Sequence, residues 1–403
     1  MNPILKRATD YQEAMTQFLR DMVAIPSESM QEREVCARVQ QEMERVGFDE
    51  VFIDGLGNVI GRIGSGATII AMDAHLDTVG VGNPANWTVD PYKGAVKDGK
   101  IFGRGTVDME GSMASMVYGA KIIKDLELFD DYTLYVTGTV MEEDCDGLCW
   151  QYILNEEVIP RPDCVVITEP TNLNIYRGHR GRMELNVTTS GVSCHGSAPE
   201  RGVNAIYKMQ PIIRAIERLN EEGCLDDEFL GKGTVTISEI RSTSPSLCAV
   251  ADSCTIHLDR RLSVGESEEF VVSQLENLPE VKAAGATVTV LEYAERAYTG
   301  LLYPTRKFYP TWKLDEGAPE LDAAIEAFRG VFESEPVVDK WTFSTNGIAT
   351  MGMHGVPTVG FGPGNEVYAH APDEFTWVEH LVKAAAFYAA FPQQYCARKR
   401  DAG

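Results

Sequence analysis

The chain has 403 residues and a net charge of −24, with 36 Lys and Arg against 60 Asp and Glu. This charge argues against nucleic acid and anionic membranes as partners, because both attract basic surfaces. No run approaches the roughly 18 apolar residues of a transmembrane helix, and the length predicts two domains. The nine cysteines are scattered, and the N-terminal residues lack the apolar core of a signal peptide, so we expect a cytoplasmic protein with reduced thiols.

The first part of the chain alternates between helical and strand patterns, which is typical of an α/β fold. Apolar residues recur at helical spacing over 9–24, 32–46 and 112–126. Runs rich in β-branched residues predict strands at 50–54, 58–63, 68–77, 132–141 and 163–168. The alternation therefore predicts a sheet packed against helices.

Three of the predicted strands end in a histidine or in carboxylates. The first ends in His75 and Asp77, which are two residues apart and therefore point to the same face. The other two run into Glu142 and Glu143, and into Glu169. Open α/β sheets place their ligand sites at the carboxyl ends of the strands. One shared metal site explains all three strand ends, whereas solvated turns would require three coincidences.

Two further candidate ligands lie in loops rich in glycine. Asp108 lies in the segment Gly103–Gly111, just ahead of a predicted helix, where taken alone it is better explained as an N-cap or turn residue. His370 lies in a Gly/Pro-rich loop that follows a predicted strand at 356–361. The second of these loops is placed at an edge of the sheet.

From about residue 181 the strands alternate apolar and polar residues, as expected of strands with one face in water. The predicted elements are a strand at 182–190, a helix at 203–221, strands at 233–240 and 250–260, a helix at 266–278 and a strand at 286–293. This order is ferredoxin-like. We therefore predict an inserted α+β domain at 182–294, within a catalytic domain formed by 1–181 and 295–403.

After residue 295 the α/β pattern returns. The predicted elements are helices at 319–333, 345–353 and 376–391 and strands at 337–342 and 356–361. The chain carries these motifs in order: His75-Leu76-Asp77, Gly103-Arg104-Gly105-Thr106-Val107-Asp108-Met109-Glu110-Gly111, Glu142-Glu143, Thr168-Glu169-Pro170, Cys194-His195-Gly196-Ser197-Ala198-Pro199 and Ala369-His370.

With these motifs the sequence resembles the cytoplasmic two-zinc amidohydrolase family. This family includes acetylornithine deacetylase, succinyl-diaminopimelate desuccinylase, aminoacylases and the glutamate-releasing carboxypeptidases. The overall pattern is most similar to a bacterial branch of selenium-metabolism-linked hydrolases. The resemblance implies a phosphorylase/hydrolase-like, mixed-sheet zinc-peptidase catalytic domain, with the inserted domain serving as a lid and as the contact of a homodimer.

The resemblance also implies how five side chains would hold two divalent metal ions. His75 and Glu169 would hold one ion. Glu143 and His370 would hold the other. Asp108 would bridge the two ions, in a loop where the family has a cis peptide bond after the aspartate. Histidine and carboxylate ligands without cysteine suit zinc, with cobalt or manganese as alternatives.

Three more residues have implied roles in catalysis. Glu142 would be the general base, and Asp77 would accept a hydrogen bond from the ring of His75. His195, in the inserted domain, would reach the site of the other subunit and stabilise the oxyanion there.

The substrate residues are the positions where the sequence departs from the family pattern. Arg261, in Asp259-Arg260-Arg261, is a candidate for binding a substrate carboxylate, and its alternative is a surface ion pair. Asn346 and Gly347 stand where relatives often have Asp-Gly-Arg or Asp-Ala, and are further candidates. Cys248 stands near the usual Asn of a lid strand. These departures argue against a doubly anionic substrate of the desuccinylase type.

We expect hydrolysis of the amide bond of a small N-acyl amino acid with a free carboxylate, by a water that two metal ions activate. A dipeptidase or carboxypeptidase and an N-carbamoyl amino acid hydrolase are alternatives. A thiol nucleophile pair of Cys194 and His195 is disfavoured, because adjacent residues on a strand point to opposite faces. A binding protein without catalytic activity is a further alternative, since the fold alone does not specify function.

Overall fold

The computed structural model describes residues 2–402, and its main feature is an eight-stranded mixed sheet. In spatial order its strands are Glu50–Ile53, Val59–Gly64, Tyr132–Thr139, Thr68–His75, Cys164–Ile167, Thr358–Gly360, Ile175–Tyr176 and Val338–Asp339. The four strands from Tyr132–Thr139 to Thr358–Gly360 run parallel. They are buried along almost their whole length, as expected of parallel strands with both faces covered.

Seven α-helices accompany this sheet in the described part of the chain: Pro3–Asp10, Gln12–Val23, Arg33–Val46, Glu110–Asp125, Leu148–Asn155, Pro319–Phe332 and Val378–Ala402. The helix predicted at 9–24 corresponds to Gln12–Val23, and the separate helix Pro3–Asp10 precedes it, because Tyr11 leaves helical geometry with φ of −95° and ψ of 3°. The helix Arg33–Val46 ends at Gly47, which adopts the left-handed conformation that favours glycine. One continuous cluster of buried apolar side chains joins these helices to the sheet.

The segment after residue 180 forms a second, antiparallel sheet. Its main strands, in spatial order, are Thr234–Thr243, Ser253–Leu262, Gly181–Ser190 and Thr287–Val290. Three helices accompany it: Ala205–Glu222, Glu268–Glu276 and Pro279–Ala284. The chain order and the strand order are those of a ferredoxin-like unit. This sheet has its own buried apolar cluster, which supports a lid domain with the proposed bounds 182–294.

Shorter elements complete the fold. Paired short strands are Ala95–Lys97, Lys100–Phe102 and Phe375–Trp377; Gly178–His179 and Trp312–Lys313; Asp226–Asp227 and Gly231–Lys232; Glu292–Tyr293 and Thr305–Arg306; and Phe308–Tyr309 against the lid. The 3₁₀ helices are Pro84–Asn86, Pro199–Arg201 and Glu366–Tyr368. The helix predicted at 345–353 is a π-helix, Ile348–Met353. None of the helices within residues 2–402 has the length and apolar character needed to cross a membrane. All nine cysteines are free thiols.

Candidate metal centre and active site

The candidate site lies at the carboxyl ends of three neighbouring parallel strands. His75 is the last residue of the central strand and pairs in register with Thr139, the last residue of one neighbour. Glu142 follows that neighbour after two residues, and Glu169 follows the strand on the other side. Because parallel strands end at the same edge of a sheet, these side chains converge, as the sequence predicts.

His75 contacts two carboxylates through one ring nitrogen. Its Nε2 lies 3.0 Å from Asp108 Oδ1 and 3.5 Å from Glu169 Oε1. One potential ligand atom from each of His75, Glu142 and Glu169 lies within 4.8 Å of the others, and the same holds for His75, Asp108 and Glu143. Spacings of this kind suit side chains that share a cation.

Asp108 lies between two histidines. While Oδ1 faces His75, Oδ2 lies 3.1 Å from Nε2 of His370. The same Nε2 lies 3.1 Å from Oε2 of Glu143. Each oxygen of Asp108 is thus directed at a different histidine, which is the arrangement expected of a carboxylate that bridges two metal ions. The peptide bond from Asp108 to Met109 is cis, as the resemblance implies.

The chemistry of these groups fits divalent cations. Oxygens of Asp108, Glu142, Glu143 and Glu169 lie within 4.8 Å of a ring nitrogen of His75, and such acidic groups repel one another unless cations compensate their charges. Burial raises the pKa of Glu142 and of Glu169 well above the ordinary value. Glu142 Oε1 and Glu169 Oε2 are buried without a hydrogen-bond partner among the described residues. Nitrogen and oxygen donors without thiolate suit zinc, cobalt or manganese.

A buried ion pair supports the loop that carries Asp108. Glu374 Oε1 accepts hydrogen bonds from the backbone amides of Val107 at 2.8 Å and Asp108 at 3.2 Å. Its other oxygen pairs with the guanidinium of Arg104. Burial raises the pKa of Glu374 to about 7, even though the charge of Arg104 opposes this shift. Sequence reasoning missed this pair, although both residues belong to loops that carry candidate ligands.

Asp77 contacts the His75 ring through its backbone and the neighbouring turn through its carboxylate. The Nδ1 of His75 lies 2.8 Å from the backbone carbonyl oxygen of Asp77, and 3.7 Å from its carboxylate. The carboxylate instead accepts hydrogen bonds from the backbone amides of Glu142 at 3.1 Å and Glu143 at 3.0 Å. Ser29 Oγ donates to it at 2.7 Å. Asp77 is thus the partner of the His75 ring through its backbone oxygen, while its carboxylate holds the turn that carries two other site residues.

A cavity of about 340 Å³ opens beside the candidate metal ligands. Its other lining residues include Asp146, Arg182, Arg261, Phe343, Ser344 and Glu366. Arg182 and Arg261 are directly opposite each other on neighbouring lid strands. Arg182 pairs with Asp146 at 3.0 Å, and Arg261 with Asp259 at 2.9 Å. Sequence reasoning missed Arg182, because only the register of the two strands reveals that it faces the cavity beside Arg261.

Asn346 and Gly347 are absent from the cavity lining, which corrects their assignment to substrate binding. Asn346 is buried, and its Oδ1 accepts a hydrogen bond of 2.9 Å from the Gly147 amide. Its Nδ2 donates to Asp73 Oδ2 at 2.9 Å. Gly347 packs so closely against Trp312 that an added Cβ would lie 2.5 Å from the indole ring. Both residues therefore serve the packing behind the site.

His195, in the lid, and His179, just before the lid begins, have contrasting surroundings. His195 is exposed, its Nδ1 lies 2.7 Å from Ser197 Oγ, and it does not line the cavity of its own chain. His179 is buried, and its Nε2 lies 2.7 Å from the indole nitrogen of Trp312 and 3.0 Å from the amide nitrogen of Thr345. Burial lowers the pKa of His179 to about 4, so this histidine is neutral and structural.

Comparisons with known proteins agree with this geometry. The profile of peptidase family M20/M25/M40 matches residues 71–394. The uncharacterized protein YgeY of Escherichia coli strain K12 is 58% identical over 394 residues, which cover 98% of this chain and 97% of YgeY.

Two solved structures are similar in fold. Aminopeptidase PepT from Bacillus cereus ATCC 10987 has a TM-score of 0.72 and 23% identity, and the match covers 96% of this chain and 99% of PepT. The YXEP protein of Bacillus subtilis, a dinuclear metal-binding peptidase from the M20 family, has a TM-score of 0.70 and 15% identity, with 97% and 99% covered. The chain therefore belongs to peptidase family M20/M25/M40 and is a metal-dependent hydrolase of amide or peptide bonds.

Proposed function

We propose that the chain hydrolyses the amide bond of a small N-acyl amino acid or dipeptide whose amine half carries a free carboxylate. The observation that carries this proposal is the position of Asp108 between His75 and His370, with the buried carboxyl of Glu142 beside them at the end of a cavity. A cavity of about 340 Å³ is near the lower end of the range for small-molecule sites.

The contacts of the five side chains support the ligand assignment. His75 and Glu169 would hold one ion, and Glu143 and His370 the other. Asp108 would hold both. When bound, two such ions would lower the pKa of a water molecule and polarise the substrate carbonyl. Zinc is the proposed metal, with cobalt or manganese as alternatives.

Glu142 is the proposed general base. Its Oε1 has no hydrogen-bond partner among residues 2–402 and is free to take a proton from the attacking water and pass it to the leaving amine. Burial raises the pKa of this carboxyl, which favours a group that both accepts and returns a proton. The hydrogen bond from the backbone amide of Glu142 to the carboxylate of Asp77 fixes the turn that carries the Glu142 side chain.

The two arginines on the lid are the proposed binding site for the substrate carboxylate. Guanidinium groups match the planar geometry of a carboxylate. Arg182 and Arg261 are opposite each other on the strand pair and face the cavity, so one carboxylate can meet both. Each arginine already has an aspartate partner, which compensates the repulsion between the two cations when no substrate is bound.

His195 is proposed to stabilise the oxyanion in the other subunit of a homodimer that forms through the lid. The exposed position of His195, outside the cavity of its own chain, supports an action across subunits. A donor at the developing oxyanion contributes about 3 kcal/mol in well-studied hydrolases. We also propose that the protein is cytoplasmic, which fits its nine free cysteines.

The test is a panel of N-acyl amino acids, N-carbamoyl amino acids and dipeptides, assayed with protein that has been chelated and then loaded with zinc, cobalt or manganese. We expect turnover of acylated or aminoacylated amino acids, its loss on chelation, and no effect of a thiol alkylator. Activity that survives chelation but not alkylation would instead support the Cys194 and His195 alternative. Turnover of the N-carbamoyl compounds alone would instead support the N-carbamoyl amino acid hydrolase alternative.

A further inference from the structure

Glu366 is an acidic residue of the cavity wall that the proposed chemistry does not use. It begins the 3₁₀ turn Glu366–Tyr368, four residues ahead of His370, and lines the same cavity as the candidate metal ligands. Its Oε1 accepts a hydrogen bond of 3.2 Å from the hydroxyl of Thr342. Its Oε2 is buried and has no hydrogen-bond partner within the part of the chain that the structure describes.

The charge of Glu366 also lacks compensation. Of the other acids of the cavity, Asp146 pairs with Arg182, and Asp108, Glu142, Glu143 and Glu169 each place an oxygen within 4.8 Å of a ring nitrogen of His75. Thr342 donates a hydrogen bond to Glu366, Asp339 adds a like charge nearby, and none of the ion pairs formed within residues 2–402 includes Glu366. Glu366 is half-buried, and a carboxylate withdrawn from water without a counter-charge is costly. Beside a substrate cavity, it suits a cation that arrives with the ligand.

The position of Glu366 assigns this cation to one half of the substrate. The lid arginines would take the carboxylate of the amine half, and the scissile carbonyl would lie at the metal ligands. The acyl half would then extend along the rest of the cavity lining, which includes Phe343, Ala369 and Glu366. A cationic group on the acyl half can therefore meet the unpaired oxygen of Glu366.

We propose that Glu366 is a specificity residue that binds an ammonium group on the acyl half of the substrate, so that the enzyme prefers aminoacyl over simple acyl amino acids. This inference rests on the proposed function, because it assumes that the cavity receives an acylated amino acid. It selects a dipeptide-like substrate among the classes considered above. The competing role is a protonated Glu366 that donates a hydrogen bond to a neutral acyl group.

The test compares matched substrates that differ only in charge. In each pair the ammonium of the acyl group is replaced by a methyl group of similar size: glycyl with propionyl, β-alanyl with butyryl, and γ-aminobutyryl with pentanoyl, all joined to the same amino acid. The kcat/KM of each member is measured for the zinc-loaded wild type, for Glu366→Gln and for the control Glu335→Gln. Glu335 is an exposed residue that pairs with Arg329 away from the cavity. Gln keeps the size of the side chain but removes its charge. Zinc content is measured for every variant.

We expect the wild type and Glu335→Gln to favour the ammonium member of at least one pair by about tenfold or more. In Glu366→Gln this preference should shrink to within about threefold, with zinc content and the methyl-member rate retained. A wild type without any ammonium preference, or a preference that persists in Glu366→Gln, would overturn the inference and leave the proposed function standing. If the loaded wild type cleaves neither member of any pair, the proposed function itself fails.

Discussion

The buried carboxylate of Asp77 accepts a hydrogen bond of 3.0 Å from the backbone amide of Glu143. It also accepts one of 3.1 Å from the amide of Glu142, so a single side chain fixes the turn that carries the proposed base and a proposed metal ligand. Burial raises the pKa of Asp77, while the charge of His75 and these donors oppose the shift. The role of Asp77 is therefore to position two neighbours.

Replacement of Asp77 by Asn tests this role. An amide oxygen can accept from only one side, and its NH₂ group would face a backbone N–H, so the turn should shift. We expect kcat/KM to fall by about 10–100-fold, the range found for residues that support metal ligands. Ser29→Ala is the control and should lower kcat/KM less, because the carboxylate of Asp77 keeps both of its contacts with backbone amides. An Asn variant with wild-type kinetics would show that the turn holds without these contacts.

Removal of the cation from the Arg104–Glu374 pair should destabilise the fold. In Arg104→Met the carboxylate of Glu374 stays buried beside Asp108 without its counter-charge. Loss of one partner of a buried pair typically costs about 3–5 kcal/mol in free energy of unfolding. Urea denaturation measures this cost. Arg214→Met breaks an exposed pair with Glu217 and should barely change the midpoint. Equal effects of the two substitutions would argue against a special role for the buried pair.

Stability should fall in mild acid, partly through His179. In the folded protein burial lowers the pKa of this ring to about 4, whereas the unfolded chain protonates it near pH 6.5. Between these values the unfolded state binds more protons, so acidification from pH 6.5 to pH 4 favours unfolding, by up to about 3 kcal/mol from this residue.

The control for this pH effect is His179→Gln, which keeps an acceptor for the Trp312 indole but does not titrate. Other groups titrate in the same range, but they are common to both proteins and cancel in the difference. Unfolding free energies at pH 7 and pH 4.5 should therefore differ less in the variant than in the wild type. The same pH difference in both proteins would contradict a neutral, buried His179.

The position of His195 predicts complementation between two inactive variants. If His195 acts in the other subunit, Glu142→Ala and His195→Ala should each be nearly inactive while retaining zinc. In a mixed dimer, one site receives an intact Glu142 and an intact His195. Refolding or exchange of an equal mixture should therefore restore about a quarter of wild-type activity, since about half of the dimers carry one complete site. If activity does not recover although the subunits exchange, His195 does not act in the site of the other subunit.

The parts of the site that sequence reasoning located follow from strand periodicity and strand ends. His75, Glu142 and Glu169 lie at the carboxyl ends of parallel strands, and such ends meet whatever the details of packing. The ferredoxin-like lid was also predictable, because its strands and helices have regular apolar periods.

The contacts that sequence reasoning did not predict depend on tertiary packing. The Asp77 carboxylate bonds to a turn from another strand, and no local pattern encodes that partner. Asn346 was misassigned because an amide in a loop near the site can equally face substrate or, as here, Asp73 in the core. Arg182 and Glu374 were missed because their partners are distant in sequence. The helix Pro3–Asp10, which precedes Tyr11, was not predicted.

The most direct test is the number of zinc ions per chain, measured by inductively coupled plasma mass spectrometry after reconstitution and removal of free metal. Asp108 faces both His75 and His370, so it should be required for the binding of both metal ions. We predict about two ions per chain in the wild type and in Glu142→Ala, and at most about one in Asp108→Ala. A wild type that retains no zinc, or an Asp108→Ala variant that still binds two ions, would contradict the two-metal centre.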